Sequence, residues 1–144
     1  RRPHRTSSTL RRQRRTRSAD VADGAREAGR AREALPRILQ LHLSWAATDE
    51  EAMAQALQQW PVAAMPFSKS DIRSPFEFEQ LARMVRPEHF DERFVISADP
   101  DVHRATIQRY ADLGFDHIYL HNVGRNQQEW IEVFGRDVLP NVRG

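Results

Sequence analysis

Cysteine is absent from this sequence, and apolar residues never form a long uninterrupted run. The missing thiols exclude disulfide bonds and thiolate metal sites, and they fit a reducing compartment. A membrane-spanning helix needs about 18 consecutive apolar residues, and no segment approaches that length. The arginines at the start are not followed by the apolar segment of a secretory signal peptide. We therefore expect a cytoplasmic protein that makes no contact with a membrane.

Lysine is nearly absent as well, since Lys69 stands alone against 21 arginines. Eight of those arginines and no acidic residue lie in residues 1–17, so this segment carries +8. Because the whole chain carries +2, residues 18–144 carry the difference, −6. The body of the protein is therefore acidic, and only its beginning is basic.

Residues 1–34 contain few apolar side chains and many arginine, serine, alanine and glycine residues. Such a segment cannot bury enough surface to offset its chain entropy, so we expect a basic tail that is disordered or loosely helical, followed by one domain at residues 35–144. A basic arm could contact nucleic-acid phosphates. No aromatic residue or recognition module accompanies the arginines, so nucleic acid is not the partner that we expect.

A strict alternation of apolar and polar residues marks the first predicted strand. Leu39, Leu41 and Leu43 fall on one face of this segment. His42 and Ser44 fall on the other face. This period of two is typical of a strand that is buried on one side only.

Predicted helices and strands alternate along the rest of the chain. Thr48 and Ser74 each precede a glutamate by three positions, which is the spacing of a capping box. Gly114 stands where a helix ends in the left-handed conformation. Residues 94–97 and 117–123 have the apolar character of further strands. The order predicts a parallel sheet, and because its few strands would leave an exposed edge, we expect an α/β fold within a larger sheet or barrel.

Four motifs stand out beside this pattern. They are His-Leu-Ser-Trp-Ala within residues 42–52, Ile-Ser-Ala-Asp-Pro-Asp at 96–101, Gly-Phe-Asp-His-Ile-Tyr-Leu-His-Asn-Val-Gly within 110–124, and Phe-Gly-Arg-Asp-Val-Leu-Pro at 134–140. Together they resemble the luciferase-like oxidoreductases, in the branch similar to deazaflavin-dependent glucose-6-phosphate dehydrogenase. Residues 1–20 resemble nothing in that family. The resemblance implies that residues 35–144 are the C-terminal part of a (β/α)8 TIM barrel, which needs about 250 residues when complete.

The resemblance also implies an enzymatic activity for the complete protein. Its relatives transfer a hydride between a deazaflavin (F420) or flavin (FMN) cofactor and a small alcohol, aldehyde or sugar-phosphate-like substrate, or act as monooxygenases. Their proton-transfer residues lie in earlier strands, so we expect no catalytic residue in this chain. We expect an incomplete, inactive fragment of an enzyme whose full-length form is a homodimer.

Two basic residues match substrate-binding positions of these relatives. Lys69 lines up with a lysine and Arg93 with an arginine that bind substrate phosphate in the sugar-phosphate branch. A point charge beside a planar guanidinium suits a dianionic phosphate. The alternative is a solvated lysine and a surface ion pair between Arg93 and Asp91 or Glu92.

Three polar residues are predicted at the rim of the active site, namely His42, Ser44 and His121. In barrels of this type the functional groups lie at the C-terminal ends of the strands, and His121 stands at such an end. The alternative for His42 and Ser44 is a hydrogen-bonded pair in the core. No metal site is predicted, because no carboxylate or third ligand has suitable spacing.

Two functions other than catalysis compete with this interpretation. One is a non-enzymatic module that associates with a partner through its exposed sheet edge. The other is nucleic-acid binding through the arginine-rich tail, which a salt-dependent interaction with any DNA would reveal. Binding of F420 or FMN would favour the oxidoreductase.

Overall fold

The chain divides into two compact units, Arg1–Pro36 and Arg37–Gly144. In the first unit, residues 23–27 form a helix. This helix lies inside the predicted tail of residues 1–34, where it matches the helical alternative and not disorder. Residues 1–22 and 30–34 of the tail lie outside the described residues, so their predicted disorder stays a prediction. The computed structural model describes residues 23–29, 36–66, 70, 72–90 and 94–143.

A parallel sheet lies at the centre of the second unit. Its strands are β1 at Ile38–Ser44, β2 at Val95–Ile96 and β3 at His117–Asn122. Their order across the sheet is β2-β1-β3. Six consecutive residue pairs join β1 to β3, whereas β2 adds only two pairs at the C-terminal end of β1. The predicted parallel sheet is confirmed, with β1 and β3 as its two long strands.

The helices begin where the sequence places their caps. Thr48 Oγ1 accepts a hydrogen bond from the Glu51 N–H at 3.2 Å, and Ser74 Oγ accepts one from the Glu77 N–H at 3.1 Å. Gly114 follows the fourth helix at φ 77°, which confirms the left-handed C-cap. The helices are α1 at Asp49–Gln59, α2 at Pro61–Ala64, α3 at Pro75–Ala82, α4 at Pro100–Ala111 and α5 at Gln127–Val133.

Short helical turns complete this part of the chain. A 3-10 turn covers Pro87–His89, a π-helical turn at Phe134–Val138 continues α5, and a last 3-10 turn covers Leu139–Asn141. Within the described part of the chain, no helix is both long and apolar enough to cross a bilayer.

The main hydrophobic core lies on the leucine face of β1. Leu41 and Leu43 keep only 4% and 2% of their surface exposed. Fully burying one such side chain stabilises the fold by about 1.5–3 kcal/mol, which is the physical cause of the alternation in the sequence. The side chains that complete this core come from β2, α4 and the C-terminal helical segment: Val95, Ile107, Tyr110, Phe134 and Val138.

The opposite face of the sheet is open over much of its length. Ile38 keeps 53% and Tyr119 61% of its surface exposed. In a closed barrel of parallel strands the helices form the outer ring, and the other face of the sheet turns inward. Parallel strands with their core on one face and an uncovered second face are therefore the arrangement of one portion of such a barrel.

Candidate active site

Two histidines meet on the open face near the C-terminal ends of β1 and β3. His42 is the register partner of His121, and their Nδ1 atoms are 2.8 Å apart. The ring centroids are 5.0 Å apart, with 67° between the ring planes. Successive side chains of a strand point to opposite faces, so in-register pairing of two parallel strands places both rings on the same face. Both residues were predicted at the rim, and the structure brings them into direct contact.

Trp60 joins the two histidines, and we call the three side chains the His-His-Trp cluster. Its ring stacks on His42 with centroids 5.1 Å apart and 29° between the planes. It meets His121 edge to face, with centroids 5.0 Å apart and 88° between the planes. The sequence patterns did not connect Trp60 with either histidine. The available signal was Pro61, because the proline ends α1 and leaves Trp60 as its C-cap.

The surroundings of His42 disfavour its charged form. Burial lowers the pKa of His42 below its ordinary 6.5, and repulsion from a charged His121 lowers it further. His42 is therefore uncharged at neutral pH. An uncharged imidazole has one nitrogen that donates and one that accepts hydrogen bonds, so the pair offers both functions to a bound molecule.

Ser44, the third predicted rim residue, is buried with 1% of its surface exposed. Its hydroxyl donates a hydrogen bond to the Ala52 carbonyl oxygen at 2.7 Å. This bond attaches the first turns of α1 to the end of β1. Among the described contacts, the hydroxyl is not bonded to either histidine of the cluster.

Asp49 ties α1 to the segment that follows β2. Its Oδ1 accepts hydrogen bonds from the Ala98 N–H at 2.7 Å and from the Ser97 hydroxyl at 3.2 Å. The Ser97 hydroxyl oxygen also accepts from the Asp99 N–H at 3.1 Å. These bonds hold the start of α1, just after β1, to the segment that follows β2.

Three side-chain amides, which we call the amide clamp, hold the end of β3 to the end of β1. They belong to Asn122, Asn126 and Gln127. Asn122 Oδ1 accepts a hydrogen bond from the Trp45 N–H at 3.1 Å, and Asn126 Nδ2 donates to the Trp45 carbonyl at 3.0 Å. Gln127 Nε2 donates to the Asn122 carbonyl at 2.9 Å. Sequence reasoning missed this clamp, although three amide residues directly after a predicted strand were a visible signal.

The two predicted phosphate-binding residues, Lys69 and Arg93, lie outside the described residues. Their role therefore stays a prediction. Within the ranges that the structure describes, no group of three or more histidine, aspartate or glutamate side chains could hold a metal ion.

The His-His-Trp cluster combines an indole with two imidazoles, groups that can contact the ring of a planar organic cofactor. Trp60 is half-buried, and an indole is a flat, largely apolar group on which an aromatic ring can stack. With both Nδ1 atoms engaged, His42 and His121 each retain Nε2 for a ligand, and no partner for either Nε2 is found among the described residues. Small-molecule sites typically combine apolar walls with a few such polar groups.

Comparison with known proteins identifies relatives of this chain. The sequence model of a family described as "Luciferase-like monooxygenase" matches residues 9–117. The expectation that residues 1–20 resemble nothing in this family was therefore wrong for residues 9–20. An F420-dependent glucose-6-phosphate dehydrogenase of Microbacterium testaceum is 31% identical over 121 residues, which cover 84% of this chain and 36% of that enzyme. The enzyme of the same name from Nakamurella multipartita is 34% identical over 124 residues, covering 85% and 36% respectively.

A solved structure shares the fold. It is an F420-dependent secondary alcohol dehydrogenase in complex with an F420-acetone adduct, and it matches with a TM-score of 0.69. The match covers 85% of this chain and 37% of that enzyme, at 22% sequence identity. At this identity the likeness shows the fold alone. The chain thus spans about a third of the length of the relatives that it matches.

Proposed function

The chain belongs to the luciferase-like monooxygenase family, and from that premise we propose that it forms one side of the active site of an F420- or FMN-dependent oxidoreductase. The observation that carries this proposal is the His-His-Trp cluster at the C-terminal ends of β1 and β3. Active sites of (β/α)8 barrels lie at that end of the strands. Similarity to two F420-dependent glucose-6-phosphate dehydrogenases favours the deazaflavin over FMN.

We propose the oxidation of a small alcohol or sugar phosphate as the reaction. When bound, the cofactor would supply a hydride acceptor. The residues of this chain would contribute a surface for its ring at Trp60 and hydrogen bonds from His42 and His121. Enclosing the substrate between such groups excludes water from the transfer.

Lys69 and Arg93 are proposed to bind a phosphate group of the substrate. The support is their alignment with the phosphate-binding residues of the sugar-phosphate branch, together with the chemistry of an ammonium and a guanidinium. Substrate choice offers a direct test. Replacing either residue by alanine should weaken binding of a sugar phosphate and leave binding of a phosphate-free alcohol unchanged.

Cofactor binding can be measured on the 144-residue chain itself through tryptophan fluorescence. We expect F420 to quench the emission in a saturable way, because Trp60 lies in the proposed site. Trp60→Phe should lose the saturable change. Trp130→Phe is the matched control, since Trp130 packs against Phe134 in the core, and it should keep the change. If neither F420 nor FMN gives saturable quenching of the folded chain, the proposal is wrong.

Turnover is proposed to require barrel strands that this chain does not contain, because it spans 36% of its relatives. The isolated chain should therefore reduce no F420 in the presence of an alcohol or glucose 6-phosphate. A chimera in which this chain replaces the aligned part of the Microbacterium testaceum enzyme should restore reduction with one of these substrates. A chimera that folds and binds F420 but turns over neither substrate would contradict the proposed oxidoreductase role of this chain. Turnover by the isolated chain would contradict its proposed inactivity.

A non-enzymatic interaction module is the second candidate, and one observation favours it. The open face of the sheet exposes Ile38 and Tyr119 by more than half of their surface, and exposed apolar side chains of this kind occur at protein interfaces. Replacing both residues by serine would abolish self-association or partner binding under this hypothesis. The same double variant should leave F420 quenching of Trp60 unchanged if the oxidoreductase proposal is correct.

A further inference from the structure

Asp49, the first residue of α1, bonds to the segment that follows β2. Its Oδ1 accepts hydrogen bonds from the Ala98 N–H at 2.7 Å and from the Ser97 hydroxyl at 3.2 Å. Among the described residues, no other side chain of α1 forms a hydrogen bond with a different element of the fold. This one carboxylate therefore provides the polar link between α1 and the end of the neighbouring strand.

The groups to which Asp49 bonds are themselves held in place. Ser97 keeps only 8% of its surface exposed. Its carbonyl oxygen accepts a hydrogen bond from His103 Nε2 at 2.9 Å, and its hydroxyl oxygen accepts one from the Asp99 N–H at 3.1 Å. Because His103 and Asp99 belong to α4 and its N-cap, the segment after β2 provides a fixed point for the start of α1.

A second link holds the same part of α1 from the β1 side. The Ser44 hydroxyl donates a hydrogen bond to the Ala52 carbonyl oxygen at 2.7 Å. One link alone is a pivot about which a helix can swing, whereas two links to different strand ends fix the direction of its axis. Ala52 and Ala56 are buried, but such small side chains set the distance between helix and sheet and leave the direction free.

The far end of α1 carries Trp60, which is the C-cap of the helix. The helix has 11 residues, so a rise of about 1.5 Å per residue makes it about 16 Å long. A swing of about 5° around its first turn would move Trp60 by about 1 Å or more. Leu57 packs near this end against a second apolar cluster, but that cluster contains no residue of the sheet and gives the helix no fixed point there.

A displacement of this size is large for the His-His-Trp cluster. The ring centroid of Trp60 lies 5.1 Å from that of His42 and 5.0 Å from that of His121. Binding groups have to be held within about 0.5 Å of their working geometry. Because Trp60 directly follows the last residue of α1, the direction of the helix decides whether the indole lies on the two imidazoles.

We propose that Asp49 is a positioning residue of the cofactor site, which holds α1 in the direction that places Trp60 on His42 and His121. The assignment rests on the proposed oxidoreductase function, because it takes the His-His-Trp cluster as the surface that binds the ring of the cofactor. Asp49 lies at the opposite end of α1 from Trp60. It therefore acts on the site through the helix and makes no contact with the cofactor.

Two substitutions of Asp49 separate its hydrogen bonds from its charge. Asp49→Ala removes the acceptor, whereas Asp49→Asn keeps an oxygen that can accept both bonds. When F420 is titrated into the full chain, Asp49→Ala should bind about tenfold more weakly, because a misplacement of about 1 Å can cost up to about 10²-fold. Asp49→Asn should bind like the unmodified chain. The matched control is Asp101→Ala, which removes an exposed acid from the first turn of α4 and should leave the affinity unchanged.

Proton NMR without any cofactor gives a second readout. In the unmodified chain the indole protons of Trp60 should give cross-peaks with the ring protons of His42 and His121. Asp49→Ala should weaken these cross-peaks, whereas Asp49→Asn and Asp101→Ala should keep them. If Asp49→Ala does not fold, Asp49→Ser takes its place, because the shorter serine side chain does not reach the Ala98 N–H that Asp49 bonds.

The outcomes separate the positioning role from the function on which it rests. If neither F420 nor FMN binds the unmodified chain while Asp49→Ala weakens the cross-peaks, the oxidoreductase proposal is wrong and Asp49 still positions Trp60. If F420 binds and Asp49→Ala changes neither the affinity nor the cross-peaks, the positioning role is wrong. Weaker binding with unchanged cross-peaks, or an equal loss in Asp49→Asn or Asp101→Ala, would also overturn it.

Discussion

Gly124 lies against the side chain of Gln55, and a Cβ atom at Gly124 would overlap Gln55 Oε1. It would also be 2.5 Å from Asn126 Oδ1. The contact joins the turn after β3 to the middle of α1, next to the amide clamp at Trp45. Gly124 does not have a positive φ, so its backbone conformation does not require glycine. Glycine is favoured at this position because the neighbouring side chains approach the backbone closely.

Gly124→Ala should therefore destabilise the protein. Both Gln55 and Asn126 would have to move, and movement of Asn126 breaks its hydrogen bond to the Trp45 carbonyl. Overpacking costs about 1–3 kcal/mol. Because the atoms met here are the ends of two side chains that can move, we expect the lower end of that range, about 1 kcal/mol, which urea denaturation would measure as a lower midpoint. Gly135→Ala is the control because a Cβ there meets no atom within 4 Å. Equal stability of the two variants would contradict the close contact.

A second prediction concerns the amide clamp itself. Asn122 keeps only 2% of its surface exposed, and Asn122→Ala would leave the Trp45 N–H without its acceptor. An unsatisfied buried donor costs about 1–3 kcal/mol, so the unfolding free energy should fall by that amount. Asn141→Ala, which removes an exposed hydrogen bond to the Asp137 carbonyl, should change it by less than about 0.5 kcal/mol. A similar small loss in both variants would show that the clamp adds little stability.

The histidine pair and the clamp show which parts of the site the sequence could predict. The alternation around Leu41 and Leu43 predicted that His42 lies on the polar face of a strand, and β1 confirms that face. The partner of His42 is 79 positions away. Periodicity determines the face on which a side chain lies, but the neighbouring strand and the register depend on contacts that the whole sheet forms together.

Predictions that depend on residues close in sequence were therefore correct, whereas contacts between distant segments of the chain were missed. The N-caps at Thr48 and Ser74 and the left-handed Gly114 depend on residues within one or two turns of the helix, and all three are confirmed. The reciprocal bond of a capping box, from the glutamate side chain to the N-cap N–H, is not found at either helix among the described contacts. The contact of Trp60 with His121 was missed, because a position at the end of α1 says nothing about β3. His103 was also missed, since a buried histidine has no signature in an apolar pattern.

His103 leads to a prediction about pH. It is buried with 1% of its surface exposed; Nε2 lies 2.9 Å from the Ser97 carbonyl oxygen, to which it donates, and Nδ1 has no hydrogen-bond partner among the described residues. Burial lowers the pKa of His103 below 6.5, outweighing the opposing effects of the Ser97 carbonyl, Asp99 and Asp49. Below about pH 6.5 the unfolded chain therefore binds a proton at this position that the folded chain excludes.

The unfolding free energy should consequently fall as the pH is lowered through 6.5, the ordinary pKa of the unfolded histidine. One proton contributes a slope of at most about 1.4 kcal/mol per pH unit. At a pH well above 6.5 the unfolding free energy is not reduced by protonation of this histidine. Urea denaturation between neutral and mildly acidic pH would measure it. His103→Gln should lower the slope, and the exposed control His117→Gln should not. If the unfolding free energy of His103→Gln depends on pH as steeply as that of the wild type, the pH dependence does not come from His103.

Ser44 provides the last prediction, because its two interpretations have different consequences. If its buried hydroxyl acts only through the hydrogen bond to Ala52, Ser44→Ala should lower the unfolding free energy by about 1 kcal/mol and leave F420 quenching of Trp60 unchanged. If Ser44 is a rim residue that contacts the cofactor or substrate, the same variant should weaken binding. Ser97→Ala is a useful comparison, since its hydroxyl bonds to Asp49 at the neighbouring strand end. Weaker F420 binding in Ser44→Ala at unchanged stability would favour the rim position and count against the structural role.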